Sequence, residues 1–163
     1  KRTMRHFGLE LEEEKSRLIE FGRFTEERRE RNGLGKPETF TFLGFTHYCS
    51  QSRNGKFRVK RKTSRKKFAK KCREVHRKIA EMRTMPLRQI IGKMNQILVG
   101  YYHYYGITDN SKALSDFCFQ VRKSLYYWLN QRSQKRSCNW ESFREMLKAC
   151  PLAKPRIYVK IYE

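Results

Sequence analysis

The sequence has few acidic residues for its size: 16 Asp and Glu stand against 38 Lys and Arg, a formal net charge of +22. A folded chain with that charge repels itself, and binding to a polyanion is the usual reason to tolerate it. Aromatic residues make up 13% of the chain, more than a disordered basic tail would carry. Composition therefore favours a folded nucleic-acid-binding protein, with a merely soluble basic protein as the alternative.

Long apolar runs and paired cysteines are also missing. No stretch of about 18 apolar residues occurs, so neither a membrane-spanning helix nor a membrane partner is predicted. The five cysteines are an odd number without a Cys-x-x-Cys pair, which favours a reducing, cytoplasmic location over a disulfide framework. Cys72 and His76 lie four residues apart on a predicted helix, but the other ligands of a zinc site are missing. Packing in the core or at the surface is therefore the preferred interpretation of this pair, and no metal site is predicted.

Recognisable catalytic motifs are equally scarce. The sequence contains no pair of carboxylates in an apolar strand, no glycine-rich phosphate loop and no spacing that suggests a Ser/His/Asp arrangement. Its acidic residues fall in charged segments, where exposure to solvent is the default. The residues by themselves therefore predict binding rather than catalysis.

The run Thr39–His47 alternates aromatic and small polar residues, as a β-strand does. A second β-prone run, Phe57–Val59, follows the turn signal Arg53-Asn54-Gly55, so a β-hairpin is predicted. The segment Lys15–Gly22 is predicted to form a neighbouring strand, because it contains Leu18, Ile19 and Phe21. The polar stretch Arg23–Lys36, which contains two glycines, is typical of a mobile surface loop.

Three stretches with apolar residues at helical spacing follow the hairpin, and the short connections between them predict an up-down-up bundle. Thr63 or Ser64 can cap the first helix. Pro86 opens the second, and the third begins near Asn110. The second helix is the most apolar and is expected at the centre of the bundle. Asn139 is predicted to cap a short C-terminal helix, which precedes an extended tail.

The predicted fold class is α+β: a small antiparallel β-hairpin region, then a three-helix bundle, then a short C-terminal helix and tail. A basic run at residues 60–67 marks the change of composition between the first two parts. The expected domains are residues 1–61, 62–134 and 135–163.

Basic residues cover the first bundle helix outside its apolar stripe, where they can contact the phosphates of a nucleic acid. The aromatic cluster Tyr101–Tyr105 could stack on bases, although at helical spacing about half of such aromatics belong to the core. Tyr101, Tyr105 and Trp128 are assigned to the core. The candidate nucleic-acid-binding residues are Arg65, Lys66, Lys67, Lys70, Lys71, Arg73, Arg77, Lys78, His103 and Tyr104.

Several short motifs follow one another along the chain: Leu9-Glu10-Leu11, Glu14-Lys15-Ser16-Arg17-Leu18, Phe21-Gly22-Arg23, Gly35-Lys36-Pro37-Glu38-Thr39-Phe40, Phe42-Leu43-Gly44-Phe45, Leu98-Val99-Gly100-Tyr101-Tyr102, Leu129-Asn130-Gln131-Arg132, Trp140-Glu141-Ser142-Phe143 and Pro151-Leu152-Ala153-Lys154-Pro155-Arg156-Ile157. Up to Phe45 they resemble the end of the palm in group II intron-encoded reverse transcriptases, the intron maturases. The next two resemble that family's thumb, also called domain X. The last two are similar to the short C-terminus of its bacterial members, so the resemblance covers essentially the whole chain.

The resemblance implies that the parent protein copies RNA into DNA and assists intron splicing. Its implied partners are an RNA template-primer duplex, intron RNA, and the upstream palm and fingers of the same protein. In this family the aspartates that hold the two catalytic Mg²⁺ ions lie upstream of residue 1. The resemblance thus implies no cofactor in this segment, Mg²⁺ in the parent enzyme, and no polymerase activity for the segment alone.

The resemblance also implies two positions close to the reaction. Lys15 matches the lysine of the family's Glu-Lys-Ser/Thr motif, where it could donate a proton to the departing pyrophosphate. A turn lysine paired with Glu13 or Glu14 is the alternative. The segment Phe42-Leu43-Gly44-Phe45 matches the primer grip, where a glycine lets the primer end lie close to the protein, and ordinary hairpin packing is the alternative.

Two other functions stay open at this point. A stand-alone splicing module would bind its intron selectively with no polymerase context. A generic basic protein would not prefer duplex to single strand, and changes at Lys66 or Lys70 would act only through net charge. The sequence starts abruptly within a predicted basic helix, Lys1–Phe7, which favours an origin in a longer polymerase.

Overall fold

The computed structural model describes residues 7–8, 16–52, 54–132 and 138–161. The predicted α+β class, with a small antiparallel sheet followed by helices, is confirmed. The described chain divides into two compact units: one holds the residues through Phe40 with Tyr48–Val59, and the other holds Thr41–His47 and the residues from Lys60 onward. The elements are α1 (Thr25–Arg31), β1 (Phe40–Phe42), β2 (Phe45–Gln51), β3 (Phe57–Thr63), α2 (Arg65–Glu81), α3 (Leu87–Tyr105), α4 (Ser111–Asn130) and α5 (Trp140–Ala149).

In the first unit, the stretch predicted to be a loop contains the helix α1, so that prediction is wrong. Glu26 and Glu27 lie in the first turn of α1, where negative charge complements the helix dipole. Thr25 at its start is fully buried and anchors it. The last turn carries the complementary positive charges of Arg28, Arg29 and Arg31.

Residues 16–22 of the strand predicted at Lys15–Gly22 do not form a strand. Leu18 is fully exposed, whereas Ile19 and Phe21 are half-buried without strand pairing. Phe21 instead packs edge-on against Phe40, with the ring centroids 5.0 Å apart. This ring contact holds Phe21 in place without strand pairing.

The three strands form one sheet in the order β1-β2-β3. The predicted hairpin is confirmed as β2 and β3, but the run Thr39–His47 is not a single strand. The chain reverses at Leu43 and Gly44, whose φ angles are 47° and 80°. Positive φ at both central residues is the geometry of a tight two-residue hairpin turn. Strand alternation did not reveal this turn, because leucine seldom adopts positive φ.

In the second unit, α2, α3 and α4 bury their apolar stripes against one another and against Phe143 of α5. Tyr101 is buried as predicted, and Tyr105 and Trp128 are partly buried against the same core. Each fully buried large apolar side chain contributes roughly 1.5–3 kcal/mol, so this core supplies most of the unit's stability. The fully buried apolar side chains include Val75, Ile79, Ile90, Met94, Leu98, Tyr102, Leu114, Phe117, Val121 and Leu125.

The backbone of α4 comes close to those of both α2 and α3, whereas α2 and α3 approach each other less closely. The helix with two close neighbours is therefore α4, whereas the sequence predicted the second bundle helix, α3, at the centre. Tyr101 of α3 lies at one of these close approaches and stacks on Phe117 of α4, with the ring centroids 3.9 Å apart. The apolar content of a helix did not identify the central one, because helix positions depend on which side chains interlock with which neighbour. None of the described helices combines the length and apolar character needed to cross a membrane.

Two predicted helix caps are confirmed. The Ser64 hydroxyl accepts a hydrogen bond from the backbone N–H of Lys67, at 3.4 Å, and thereby caps α2. The Asn139 carboxamide accepts one from the N–H of Ser142, at 2.8 Å, and caps α5. Each cap satisfies a donor that the helix itself leaves unpaired.

Asn110 directly precedes α4 but does not cap it with its side chain. Its carboxamide is 1% exposed and points inward. The Nδ2 group donates to Oγ1 of Thr63 at 2.9 Å and to the carbonyl oxygen of Tyr105 at 2.8 Å. Oδ1 accepts from the backbone N–H of Thr63 at 2.9 Å. This Asn110 network joins the end of β3, the end of α3 and the start of α4.

The C-terminal tail runs extended along the helices. Asn95 of α3 donates to the carbonyl of Pro151 at 3.0 Å and accepts from the N–H of Ala153 at 2.8 Å. Further on, Val159 forms an isolated parallel bridge with Ile107. The tail is thus held at both of its described ends.

Replacing Asn110 by Ala should lower the free energy of unfolding by about 2–4 kcal/mol, because the buried backbone N–H and hydroxyl of Thr63 would lose their partner and the carbonyl of Tyr105 would lose one of its two donors. Chemical denaturation followed by circular dichroism measures this change. Ser111→Ala, at the exposed neighbouring position, should change stability by less than about 0.5 kcal/mol. Equally small losses in both variants would show that the Asn110 network contributes little.

Candidate nucleic-acid interface

One side of α2 is buried through Val75 and Ile79. The rest of the helix surface carries a basic face. The side chains of this face are exposed, apart from one that is half-buried, Lys71. Because they extend from one rigid helix, their charges are held on a common surface. The basic face consists of Arg65, Lys66, Lys67, Lys70, Lys71, Arg73, Arg77 and Lys78.

Acidic neighbours neutralise little of this charge. Glu74 lies 4.0 Å from the ammonium of Lys70 and 3.5 Å from that of Lys71, and Glu81 lies 3.5 Å from Arg77. Such exposed pairs one helical turn apart are weak and screened by solvent. Within the described part of the chain, no ion pair involves the other basic side chains of this face. Most of the face can therefore contact phosphates.

The turn between β1 and β2 packs against the end of α3. The hydroxyl of Tyr104 donates to the carbonyl of Leu43 at 2.9 Å. The Phe45 ring stacks on Tyr104, with centroids 6.1 Å apart and planes 12° apart, and meets Tyr105 edge-on at 5.2 Å. Phe42 and Leu43 themselves stay exposed, at 60% and 67%. The structure thus brings the predicted primer-grip segment together with Tyr104.

Gly44 is required at this turn for two reasons. Its φ of +80° favours glycine, and a β-carbon there would lie 2.8 Å from Oη of Tyr105. Burial raises the pKa of Tyr105 above the ordinary value of a tyrosine. The Gly44 carbonyl also accepts from the N–H of Ser64 at 2.8 Å. The neighbour that approaches this glycine closely is therefore a tyrosine of the same chain.

A cavity of about 430 Å³ opens between α2 and α3. It brings Tyr104 together with three residues of the basic face: Lys67, Lys70 and Lys71. Sequence reasoning did not select the residues Gln96, Ile97 and Gly100 of α3, which line the same cavity. The signal that could have found them is the i, i+4, i+8 spacing of residues 96, 100 and 104, which places them on one side of a helix.

His103, the other aromatic candidate, lies elsewhere. Its ring stacks on Tyr158 of the C-terminal tail, with centroids 4.0 Å apart. The guanidinium of Arg156 lies 5.4 Å from the centroid of the same tyrosine. The structure therefore separates His103 from Tyr104, although the two residues are adjacent in sequence.

Lys15, the candidate pyrophosphate-side acid, lies outside the described residues. In the described part, no three His, Cys, Asp or Glu side chains are grouped so that they could hold a metal ion. These residues therefore do not fit the two-magnesium site of a polymerase. Cys72 packs against the core, which raises the pKa of its thiol, whereas His76 is exposed and lies 3.2 Å from Oγ of Ser124.

These features define a compact helical domain with a basic face and an aromatic cavity beside it. The family model of the group II intron, maturase-specific domain, matches residues 65–146, half of the chain. The chain therefore belongs to the group II intron maturase family. No curated protein and no solved structure matches it. The matched span begins with α2, so the whole basic face lies inside the family domain.

Gly44→Ala should lower the free energy of unfolding by about 1–2 kcal/mol through left-handed backbone strain. The close contact with Tyr105 should lower it further. Denaturant titration measures the loss. Gly55→Ala is the matched control, because its φ is +71° but nothing lies within 4 Å of the added carbon. The double variant Gly44→Ala with Tyr105→Phe should regain the part of the stability loss that exceeds the loss in Gly55→Ala. Equal costs at both glycines, with no recovery, would contradict the close contact.

Proposed function

We propose that this chain is the C-terminal segment of a group II intron reverse transcriptase and maturase, with the end of the palm, the thumb and a short tail, and that it binds duplex RNA through the basic face of α2. The observation that carries the proposal is the coincidence of the basic face with the family domain, which starts at Arg65. The opposite side of the helix is buried in the core, so α2 presents these charges as a rigid array.

Binding through this face would be mainly electrostatic. Lysine and arginine side chains that contact phosphates release bound counterions, so affinity falls steeply with salt. Phosphate contacts set position and orientation but do not read sequence. We therefore propose that recognition follows the shape of the folded intron RNA, as is common for double-stranded RNA.

The same surface would serve two partners: intron RNA during splicing and a template-primer duplex during DNA synthesis. The exposed Phe42 and Leu43 would face the primer strand, and the hydrogen bond between Leu43 and Tyr104 would couple this turn to α3. Lys15 remains the proposed acid on the pyrophosphate side. Mg²⁺ would supply the phosphoryl-transfer chemistry in the parent enzyme, held by residues other than those described.

A stand-alone splicing module is the second candidate. It is favoured by the extent of the family match, which covers the helices at residues 65–146 and none of the strands. In that case the chain would bind its own intron with high selectivity and would have no role in DNA synthesis. A comparison of its affinities for cognate intron RNA and for an unrelated RNA–DNA duplex separates the two candidates.

Combined replacement of Lys66, Arg73 and Lys78 by Gln should weaken binding to a fully paired RNA duplex. It should also flatten the slope of log affinity against log salt, by roughly 0.7–0.9 for each phosphate that the variant no longer neutralises. Fluorescence anisotropy over a series of salt concentrations measures both the affinity and the slope. These three residues lie outside the cavity, so the variant tests the basic face alone.

Lys36, Lys56 and Lys148, replaced by Gln together, give a control with the same change in net charge. The control should keep nearly the affinity and the slope of the unchanged chain. Equal losses in the two variants would mean that net charge alone governs binding, as in a generic basic protein.

A further inference from the structure

We infer that the cavity between α2 and α3 binds one unpaired nucleotide of the RNA, with its base inside and its phosphate at the lysines. This inference rests on the proposed function and adds a base-binding site to the phosphate contacts. The cavity measures about 430 Å³ and is lined by Lys67, Lys70, Lys71, Glu74, Gln96, Ile97, Gly100, Tyr101, Tyr104 and Tyr105.

The size of the cavity suits a single nucleotide and excludes a helix. Cavities of about 300–1,000 Å³ typically hold one small organic molecule. A double helix would have to lie across the mouth, along the basic face. Only a base that has left the helical stack could then enter, as happens at bulges and loops.

The α2 wall supplies positive charge. Lys67, Lys70 and Lys71 are three and four residues apart, so their side chains extend from one side of the helix. Glu74 pairs with Lys70 and Lys71, whereas Lys67 has no ion pair within the described ranges. The wall therefore keeps a net positive charge, which would attract the phosphate of the entering nucleotide.

The α3 wall supplies flat apolar surface. Tyr104 is 55% exposed, yet its ring is held by the stack on Phe45 and by the hydrogen bond to Leu43. An aromatic ring that is already fixed loses little conformational freedom when a base stacks on it. The exposed ring is therefore a preformed stacking surface.

Gly100 and Gln96 shape the rest of this wall. A β-carbon on Gly100 would meet nothing within 4 Å, so the missing side chain leaves the wall recessed. Gln96 is exposed one turn earlier and offers an amide donor and a carbonyl acceptor to the edge of a base. The absence of a side chain at residue 100 is what leaves room for a ring between the helices.

The mixture of charge and apolar surface selects the ligand class. A free phosphate would leave Ile97 and the tyrosines without a partner. An apolar molecule would cover the lysine ammonium groups, and removing their water is costly. A nucleotide matches both walls at once, because its phosphate and its base are held a short distance apart.

The test uses the full 163-residue chain and two RNA duplexes that differ by one unpaired 2-aminopurine. At the same salt concentration, the bulged RNA should bind about 5- to 150-fold more tightly, the range that one base–aromatic stack provides. The fluorescence of 2-aminopurine should be quenched on binding, because the base stacks on a tyrosine.

Gly100→Phe should fill the recess and abolish both the preference and the quenching, with the affinity for the paired duplex unchanged. Gly92→Phe is the matched control: it lies on the same helix, is exposed and open, and does not line the cavity. Tyr104→Phe keeps the stacking ring and should keep the preference, whereas Tyr104→Ala should lose it.

The outcomes separate the two proposals. No binding of either RNA would overturn the proposed function itself. Salt-dependent binding of the paired duplex with no preference for the bulge would overturn only the nucleotide site. A preference that survives Gly100→Phe, or that Gly92→Phe removes equally, would also overturn the site.

Discussion

The buried carboxamide of Asn110 is the constraint on which the second unit depends. From its place just before α4, it satisfies polar groups at the ends of β3 and α3, where water does not reach. The next residue after Thr63 is Ser64, which caps α2 and donates its N–H to Gly44. Thr63 and Ser64 thus fix the start of the basic helix and the β1–β2 turn. A displacement there would move both proposed RNA contacts together.

Charge and packing are divided between the two sides of α2. A core of apolar side chains stabilises the bundle, so the outer surface can carry repulsive positive charge that only a polyanion would relieve. The cavity follows from the same packing. Because α4 is the close neighbour of both α2 and α3, those two helices stand apart, and Tyr104 and Gly100 face the gap. Bundle geometry therefore determines where an unpaired base could enter.

Local signals predicted much of this structure. Apolar periodicity located α2, α3 and α4, and the residue types at Ser64 and Asn139 identified the caps of α2 and α5. The basic face followed from the same periodicity. Features that depend on tertiary contacts were not predictable: Asn110 resembles a helix cap in sequence, and only the fold turns its side chain inward.

The turn at Leu43 and the helix α1 were missed for local reasons. Leucine rarely adopts positive φ, so the alternating run resembled one strand. The α1 segment is polar and has little apolar periodicity, so its charge pattern and one buried threonine had to be seen in the structure. The cavity was hidden for a third reason, since the distance between two helices is set by the side chains packed around them.

Lysine footprinting tests the central claim most directly, that the basic face of α2 is the surface that meets RNA. The chain is acetylated with and without a paired RNA duplex at low salt, and mass spectrometry gives the reactivity of each lysine. We expect strong protection of Lys66, Lys67, Lys70 and Lys78, and little change at Lys36, Lys56 and Lys148. Unchanged reactivity along α2, with protection of the other three lysines, would contradict the claim.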